Sequence, residues 1–282
     1  MPPIRSAPLL LASVTGPEEA AVALRAGTDI LDVKQPREGS LGACPPAVLR
    51  AVVALRDAAA APAGGRGARD PLRAPRPAVS AALGDAPNLP GTFALAAAGA
   101  AACGVDYLKV GLLGMSSEDE ARAFLAEVVA AARQTAPRAR VIAAAYADAG
   151  AIGSLPPGLL PRVVGLAGAH GCLIDTARKD GRSLFDHLDA RDLAGFIADC
   201  RGRGLMCGLA GSIAIGHVPR LRELAPDVVG VRGALCAGGR SGRLDPLRLR
   251  SFRDALGGRD APPGRTTRRR SGAAQARGGA AA

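Results

Sequence analysis

Short apolar runs alternate along this chain with longer runs in which apolar residues recur every three or four positions. The short runs are Leu9–Val14, Ile30–Lys34, Ala78–Leu83, Tyr107–Leu112, Val141–Ala147, Gly171–Asp175, Leu205–Ala210 and Val228–Val231. Their length and their Val, Leu, Ile and Ala content predict buried parallel strands. The runs between them predict amphipathic or Ala-rich helices, among them Pro17–Ala26, Ala47–Ala58, Ser117–Gln134, Asp186–Arg201, Val218–Leu224 and Pro246–Leu256. Ser116 and Ser117 ahead of Glu118, Asp119 and Glu120 mark a helix start. A hydroxyl there can accept from free backbone N–H groups, and the acids meet the positive end of the helix dipole. Eight strands each followed by a helix predict an α/β fold, a (β/α)8 TIM barrel. The competitor is an open doubly wound sheet. Such sheets often carry a GxGxxG turn after the first strand, where this chain has Thr15-Gly16-Pro17.

The length of 282 residues and the 48% hydrophobic content suit one such domain, expected over residues 1–258. Two segments fall outside the alternation. Residues 59–77 are rich in Pro, Gly and Arg and are expected to form an inserted solvated loop. Residues 259–282 contain Arg265, Arg268, Arg269, Arg270 and Arg277 without apolar periodicity, and are expected to be a disordered basic tail. The distribution of the +11 net charge therefore matters more than its size, and the basic tail reads as a solvated terminus rather than a nucleic-acid-binding segment. The six cysteines form no CxxC pair, so no structural metal site is expected, and free thiols suit a cytoplasmic setting. No segment reads as a secretory signal or a membrane span, so no membrane partner is expected.

The informative residues are the scarce ones. Of 36 basic side chains only three are lysine, namely Lys34, Lys109 and Lys179; the rest are arginine. Arginine serves wherever a solvated positive charge suffices. It cannot form an imine or release its proton near neutral pH. One retained lysine could be chance or a structural ion pair. All three, however, fall on or just after predicted strands two, four and six, and barrel active sites form at the C-terminal ends of strands. Side-chain alternation puts Asp32 on the same side as Lys34, and Asp175 ends strand six. An ordinary lysine, with a pKa of about 10.4, is neutral in only about one molecule in 2,500 at pH 7. Neighbouring cations and burial raise that fraction and activate the amine as a nucleophile. A cationic mouth also attracts phosphorylated substrates.

A phosphate site is expected on the loops after strands seven and eight. Gly211, Ser212 and Gly233 offer backbone N–H groups and a hydroxyl, and Arg232 a charge-assisted donor. Gly238-Gly239-Arg240 is placed to close over a ligand. Ser40, in the loop after Lys34, is a further candidate for phosphate. His170, His187 and His217 share no element and are expected to be structural or exposed.

The stretches DILDVKQPREGSLGA (29–43), DYLKVGL (106–112), AAYADA (144–149), LIDTARKDGRSLFD (173–186), GLAGSI (208–213) and VGVRGALCAGG (229–239) resemble the (5-formylfuran-3-yl)methyl phosphate synthase family, also called 4-(hydroxymethyl)-2-furancarboxaldehyde-phosphate synthase. The resemblance runs from about Leu9 to Leu256. It implies a barrel lyase, of the carbon–oxygen class acting on phosphates. That lyase joins two molecules of glyceraldehyde 3-phosphate into a furan aldehyde phosphate, with loss of phosphate and water, on the way to methanofuran. It implies Lys34 as the Schiff-base lysine, Asp32, Lys109, Asp175 and Lys179 as acid/base partners, and no metal or organic cofactor. Arg37 and Arg178 stand where the family often has lysine, and residues 59–77 and the basic tail are departures from it.

Two other readings compete. One is another lysine aldolase or a triose-phosphate isomerase-like barrel. The other is a nucleic-acid-binding protein using the tail and the Arg-rich loop, which leaves the three lysines unexplained. The sequence leaves a homo-oligomer open.

Overall fold

The computed structural model describes residues 7–60, 76–85 and 87–257. Most of the expected 59–77 insertion and the whole tail lie outside the described residues. Eight parallel strands close into a barrel in sequence order. They are β1 (Leu9–Val14), β2 (Ile30–Val33), β3 (Ala78–Ala82), β4 (Tyr107–Gly111), β5 (Arg140–Tyr146), β6 (Gly171–Asp175), β7 (Met206–Leu209) and β8 (Val228–Val231). The helices outside them are α1 (Pro17–Arg25), α2 (Pro46–Ala60), α3 (Pro90–Ala101), α4 (Glu118–Thr135), α5 (Leu160–Ala167), α6 (Ala190–Gly202), α7 (Val218–Leu224) and α8 (Pro246–Gly257). A two-stranded hairpin of β9 (Cys236–Ala237) and β10 (Arg243–Leu244) follows β8.

The expected eight-strand alternation is the observed one, with shifted boundaries. β2 closes at Val33, and Lys34 extends it by one hydrogen bond, its N–H donating to the Val14 carbonyl. Helix α6 begins at Ala190 rather than Asp186 because Asp189 and Asp192 form a capping box there. The stretch before it is a separate 3-10 turn, Leu184–Asp186, capped by Ser183.

Strand alternation divides the residues into two sets. Outward-facing Leu10, Ala12, Val14, Leu31, Val33, Val79, Ala81, Leu108 and Val110 pack under the helices in the main core. Inward-facing residues change character from bottom to top. Leu11, Ile30 and Val228 plug the base, with Tyr107 and Met206 against them. One step up stand Ser13, Asp32, Lys109 and Leu173, and at the top Lys34, Asp175 and Arg232. The small side chains of Ser13 and Ser80 flank Asp32 in register, and Ala82 flanks Lys109. That leaves room for the long amine of Lys109 to cross the barrel.

Candidate functional site

The mouth at the C-terminal ends of the strands encloses a cavity of about 330 Å³. Its lining brings together Asp32, Lys34, Lys109, Asp175 and Lys179, all five expected catalytic residues, with Gly211, Ser212, Arg232 and Gly233.

Two of the lysines are paired. Lys109 Nζ donates to both carboxylate oxygens of Asp32, at 2.8 and 2.7 Å. Ser13, which faces Asp32 in register on β1, donates its hydroxyl to the same carboxylate at 3.0 Å. Asp32 is wholly buried and Lys109 is 3% exposed. Burial alone would raise the Asp32 pKa, but the Lys109 and Lys34 ammoniums override it and hold the carboxyl below its usual range. Lys179 Nζ donates to Asp175 Oδ1 at 2.9 Å and to the carbonyl and hydroxyl of Thr176 at 2.6 and 2.9 Å. Burial raises the Asp175 carboxyl too, and again nearby Lys179 and Lys34 outweigh it and leave the pKa well below the ordinary value.

Lys34 differs. It is 7% exposed and, among the described residues, makes no ion pair. Its Nζ donates to the Ser40 carbonyl at 3.1 Å. Burial and the Lys109 charge, opposed in part by Asp175 and Asp32, bring its pKa down to about 8. The arrangement thus pairs two lysines with carboxylates and leaves the third able to shed its proton near neutral pH.

Two expected phosphate ligands are otherwise engaged. Arg232 donates from Nε to the Arg240 carbonyl, from Nη1 to the Ser13 carbonyl and Glu19, and from Nη2 to Glu19 and the Gly242 carbonyl. Its five N–H groups are all used within the protein, where they anchor the β9–β10 hairpin. Burial raises the Glu19 carboxyl, and the Arg232 guanidinium more than offsets it, leaving the pKa lowered. Ser40 is engaged as well. Its hydroxyl is buried and donates to the Thr176 carbonyl at 2.7 Å, tying the Lys34 loop to the Lys179 loop.

Gly211 and Ser212 stay at the cavity. A Cβ on Gly211, whose φ is +102°, would lie 3.0 Å from Thr176 Cγ2 and 3.1 Å from Thr176 N, so only glycine fits. Ser212 follows with φ +50°, a left-handed conformation that costs a non-glycine residue energy and turns its side chain toward the mouth. Gly233 opens a 3-10 turn, Gly233–Leu235, beside the cavity.

Sequence reasoning missed the residues that support the lysines. Asp85, just past β3, accepts from Leu41 N at 2.6 Å and from the Tyr146 hydroxyl at the end of β5. Asp148 accepts from Ala177 N and Arg178 N, at 2.8 and 2.9 Å, and so shapes the Lys179 loop. Ser13, Glu19, Asp85 and Asp148 are ordinary residues in unremarkable local contexts. Only long-range packing makes them partners of the site. The histidines lie elsewhere: His170 accepts from Val141 N, and His217 packs edge-on against Phe185.

A model of the 4-HFC-P synthase family matches residues 10–253. The (5-formylfuran-3-yl)methyl phosphate synthase of Methanocaldococcus jannaschii is 42% identical over 239 residues, covering 84% of this chain and 94% of that protein. The synthase of Methanothermobacter thermautotrophicus is 43% identical over 250 residues, covering 88% and 98%. Among solved structures, KGPDC from Streptococcus mutans in complex with D-R5P aligns with a TM-score of 0.57 at 12% identity, over 88% of this chain and 97% of that one. Phosphoribosyl anthranilate isomerase from Thermus thermophilus aligns with a TM-score of 0.51 at 15% identity, over 88% and 98%. At such identities the structural likeness speaks for the barrel alone. With the family model matched across the whole barrel and relatives of 42% and 43% identity spanning nearly their full length, this chain belongs to the 4-HFC-P synthase family, a family of enzymes.

Proposed function

We propose that this protein is a (5-formylfuran-3-yl)methyl phosphate synthase that condenses two molecules of glyceraldehyde 3-phosphate through an imine on Lys34. The observation that carries the reading is the contrast among the lysines. Lys109 and Lys179 are held by carboxylates, while Lys34 is buried, without an ion pair among the described residues, and lowered to about 8. A neutral amine is the nucleophile that carbonyl chemistry needs. The Lys34 lone pair forms the C–N bond to the aldehyde carbon. The carbonyl oxygen takes up protons and leaves as water. Lys109 and Lys179 stand beside it as proton donors, and Asp32 and Asp175 keep the local charge balanced. The imine draws electrons from the adjacent carbon, whose proton is then removable. Isomerisation of one triose towards a ketone, an aldol-type addition to the second, ring closure and eliminations lead to the furan with loss of phosphate and water.

The pathway reading, towards a methanofuran-type cofactor, rests on the family. The six cysteines are all free and buried, which fits our placement of the enzyme in a reducing cytoplasm. Among the described residues no helix is long and apolar enough to cross a membrane.

Borohydride reduction in the presence of glyceraldehyde 3-phosphate, followed by intact mass and peptide mapping, tests the proposal. A substrate-sized adduct on Lys34, with a product absorbing in the near ultraviolet as a furan aldehyde does, is the expected result. An adduct with a simple aldol product would make this a different lysine aldolase. A folded protein that gives no adduct would exclude the imine.

A further inference from the structure

Five basic side chains line the cavity: Lys34, Lys109, Lys179, Arg232 and Arg240. Four are accounted for. Lys109 and Lys179 are paired to Asp32 and Asp175, Lys34 is the amine left to react, and Arg232 has all its donors engaged. Arg240 is the exception. Among the described residues its guanidinium makes one hydrogen bond, from Nη2 to the Gly39 carbonyl at 2.5 Å, which leaves Nε and Nη1 uncommitted.

Its placement is built rather than incidental. Arg240 sits at the tip of the β9–β10 hairpin, and its backbone passes beside Gly233. Arg232 fixes that tip by donating to the Arg240 and Gly242 carbonyls, while Glu19 fixes Arg232 and also accepts from Leu244 N at 3.2 Å. The side chain then spans the mouth from the β8 loop to the loop that follows Lys34. The guanidinium is about half buried, and both Asp175 and Asp85 bear on its charge, so it lies over the opening rather than out in solvent.

We infer that Arg240 is the substrate-specificity residue of this site, the guanidinium that selects a phosphorylated aldehyde over its unphosphorylated counterpart. The inference rests on the proposed imine chemistry and adds the group that recognises the phosphate. A guanidinium presents paired N–H donors that match two oxygens of a phosphate, and a charge-assisted bond exceeds the single bond to a neutral carbonyl that Arg240 now makes. Phosphate binding therefore exchanges the Gly39 contact for a stronger one. Ser212 and the Gly211 and Gly233 backbone line the same cavity and complete the cradle. Arg232 is one step removed: it positions Arg240.

The test measures the concentration dependence of borohydride trapping at Lys34, with glyceraldehyde 3-phosphate and with glyceraldehyde. It is run on the full chain, for the wild type, Arg240→Ala and Arg240→Lys. In Arg240→Ala the preference for the phosphorylated aldehyde is expected to fall by about 10- to 100-fold, the range for losing a charged hydrogen-bond partner. Arg240→Lys, which keeps a point charge without the fork, is expected to lie between the two. Inorganic phosphate should compete with trapping in the wild type and lose most of that effect in Arg240→Ala. An unchanged preference overturns the assignment. Equal weakening toward both aldehydes in both variants also overturns it, since it would show a structural strut. A wild type that forms no adduct with glyceraldehyde 3-phosphate would instead overturn the proposed imine chemistry, independently of Arg240.

Discussion

Lys109 reaches across the barrel from β4 and donates to both oxygens of Asp32 on β2, residues 77 positions apart in the chain. The pair sits directly beneath Lys34, and the two partners pull its proton affinity in opposite directions. The Lys109 charge lowers it and the Asp32 charge raises it. Replacing Lys109 by methionine removes the cation and leaves Asp32 with Ser13 as its remaining listener at hydrogen-bond distance. The Lys34 pKa is then expected to rise, so the acid limb of the trapping rate moves to higher pH and the rate at pH 7 falls. Breaking a buried pair is also expected to cost about 3–5 kcal/mol. A limb that stays in place in Lys109→Met would show that Lys109 does not tune Lys34.

The pH dependence of the wild type follows from Lys34 itself. With a pKa of about 8, about one Lys34 in ten is neutral at pH 7, far more than for an ordinary lysine. The trapping rate is expected to climb about tenfold per pH unit below pH 7 and to level off above pH ~8. A rate still rising steeply at pH 10 would mean an unperturbed amine.

Stability carries the same signature. Between about 8 and the ordinary value of 10.5 the unfolded chain binds more protons at Lys34 than the folded one does. Stability should therefore rise with pH across that window. Asp32 and Asp175 act at the other end, because both are held below the ordinary value of 3.8. Their contribution is present above that value and is lost as pH falls through their lowered folded values. Urea midpoints from pH 3 to pH 10.5, compared with those of Lys34→Met, check both ends. The variant is expected to lack the alkaline rise and keep the acid loss.

Ser40→Ala separates a strut from a phosphate ligand. The lost hydroxyl donates to the Thr176 carbonyl. Its removal is expected to cost about 1 kcal/mol of stability and to leave the phosphate preference of trapping unchanged. Reduced preference at unchanged stability would return Ser40 to the phosphate site.

Gly111→Ala probes the support behind the mouth. A methyl group at position 111 would occupy the space of the Tyr146 hydroxyl and the Asp85 carboxylate. Asp85 holds Leu41 N, next to the Ser40 carbonyl that receives Lys34. The substitution is expected to destabilise the protein by about 1–3 kcal/mol, as overpacking does. It is also expected to slow trapping, measured on protein that remains folded. Unchanged trapping would uncouple this support from Lys34.

Much of this molecule was legible in order along the chain, because its regularities are local. Strand and helix differ in hydrophobic pattern, and that pattern yields eight alternating units, the number a closed barrel needs. The three lysines stand out by scarcity, and their strand positions bring them to one mouth with Asp32 and Asp175. What the linear order could not contain is which charges cancel. Nothing local distinguishes Lys34 from Lys109; closure of the barrel gives Asp32 to Lys109 and leaves Lys34 a carbonyl. Likewise the sequence pointed to Arg232 as the phosphate donor and to Arg240 only as part of a closing loop; Glu19, more than two hundred residues away in sequence, occupies Arg232. The sequence by itself determined the scaffold and which charged residues meet at its mouth. The tertiary structure decided their partners and the direction in which Lys34, Asp32 and Asp175 are shifted, because Coulomb interactions and desolvation depend on distances that exist only once the barrel has closed.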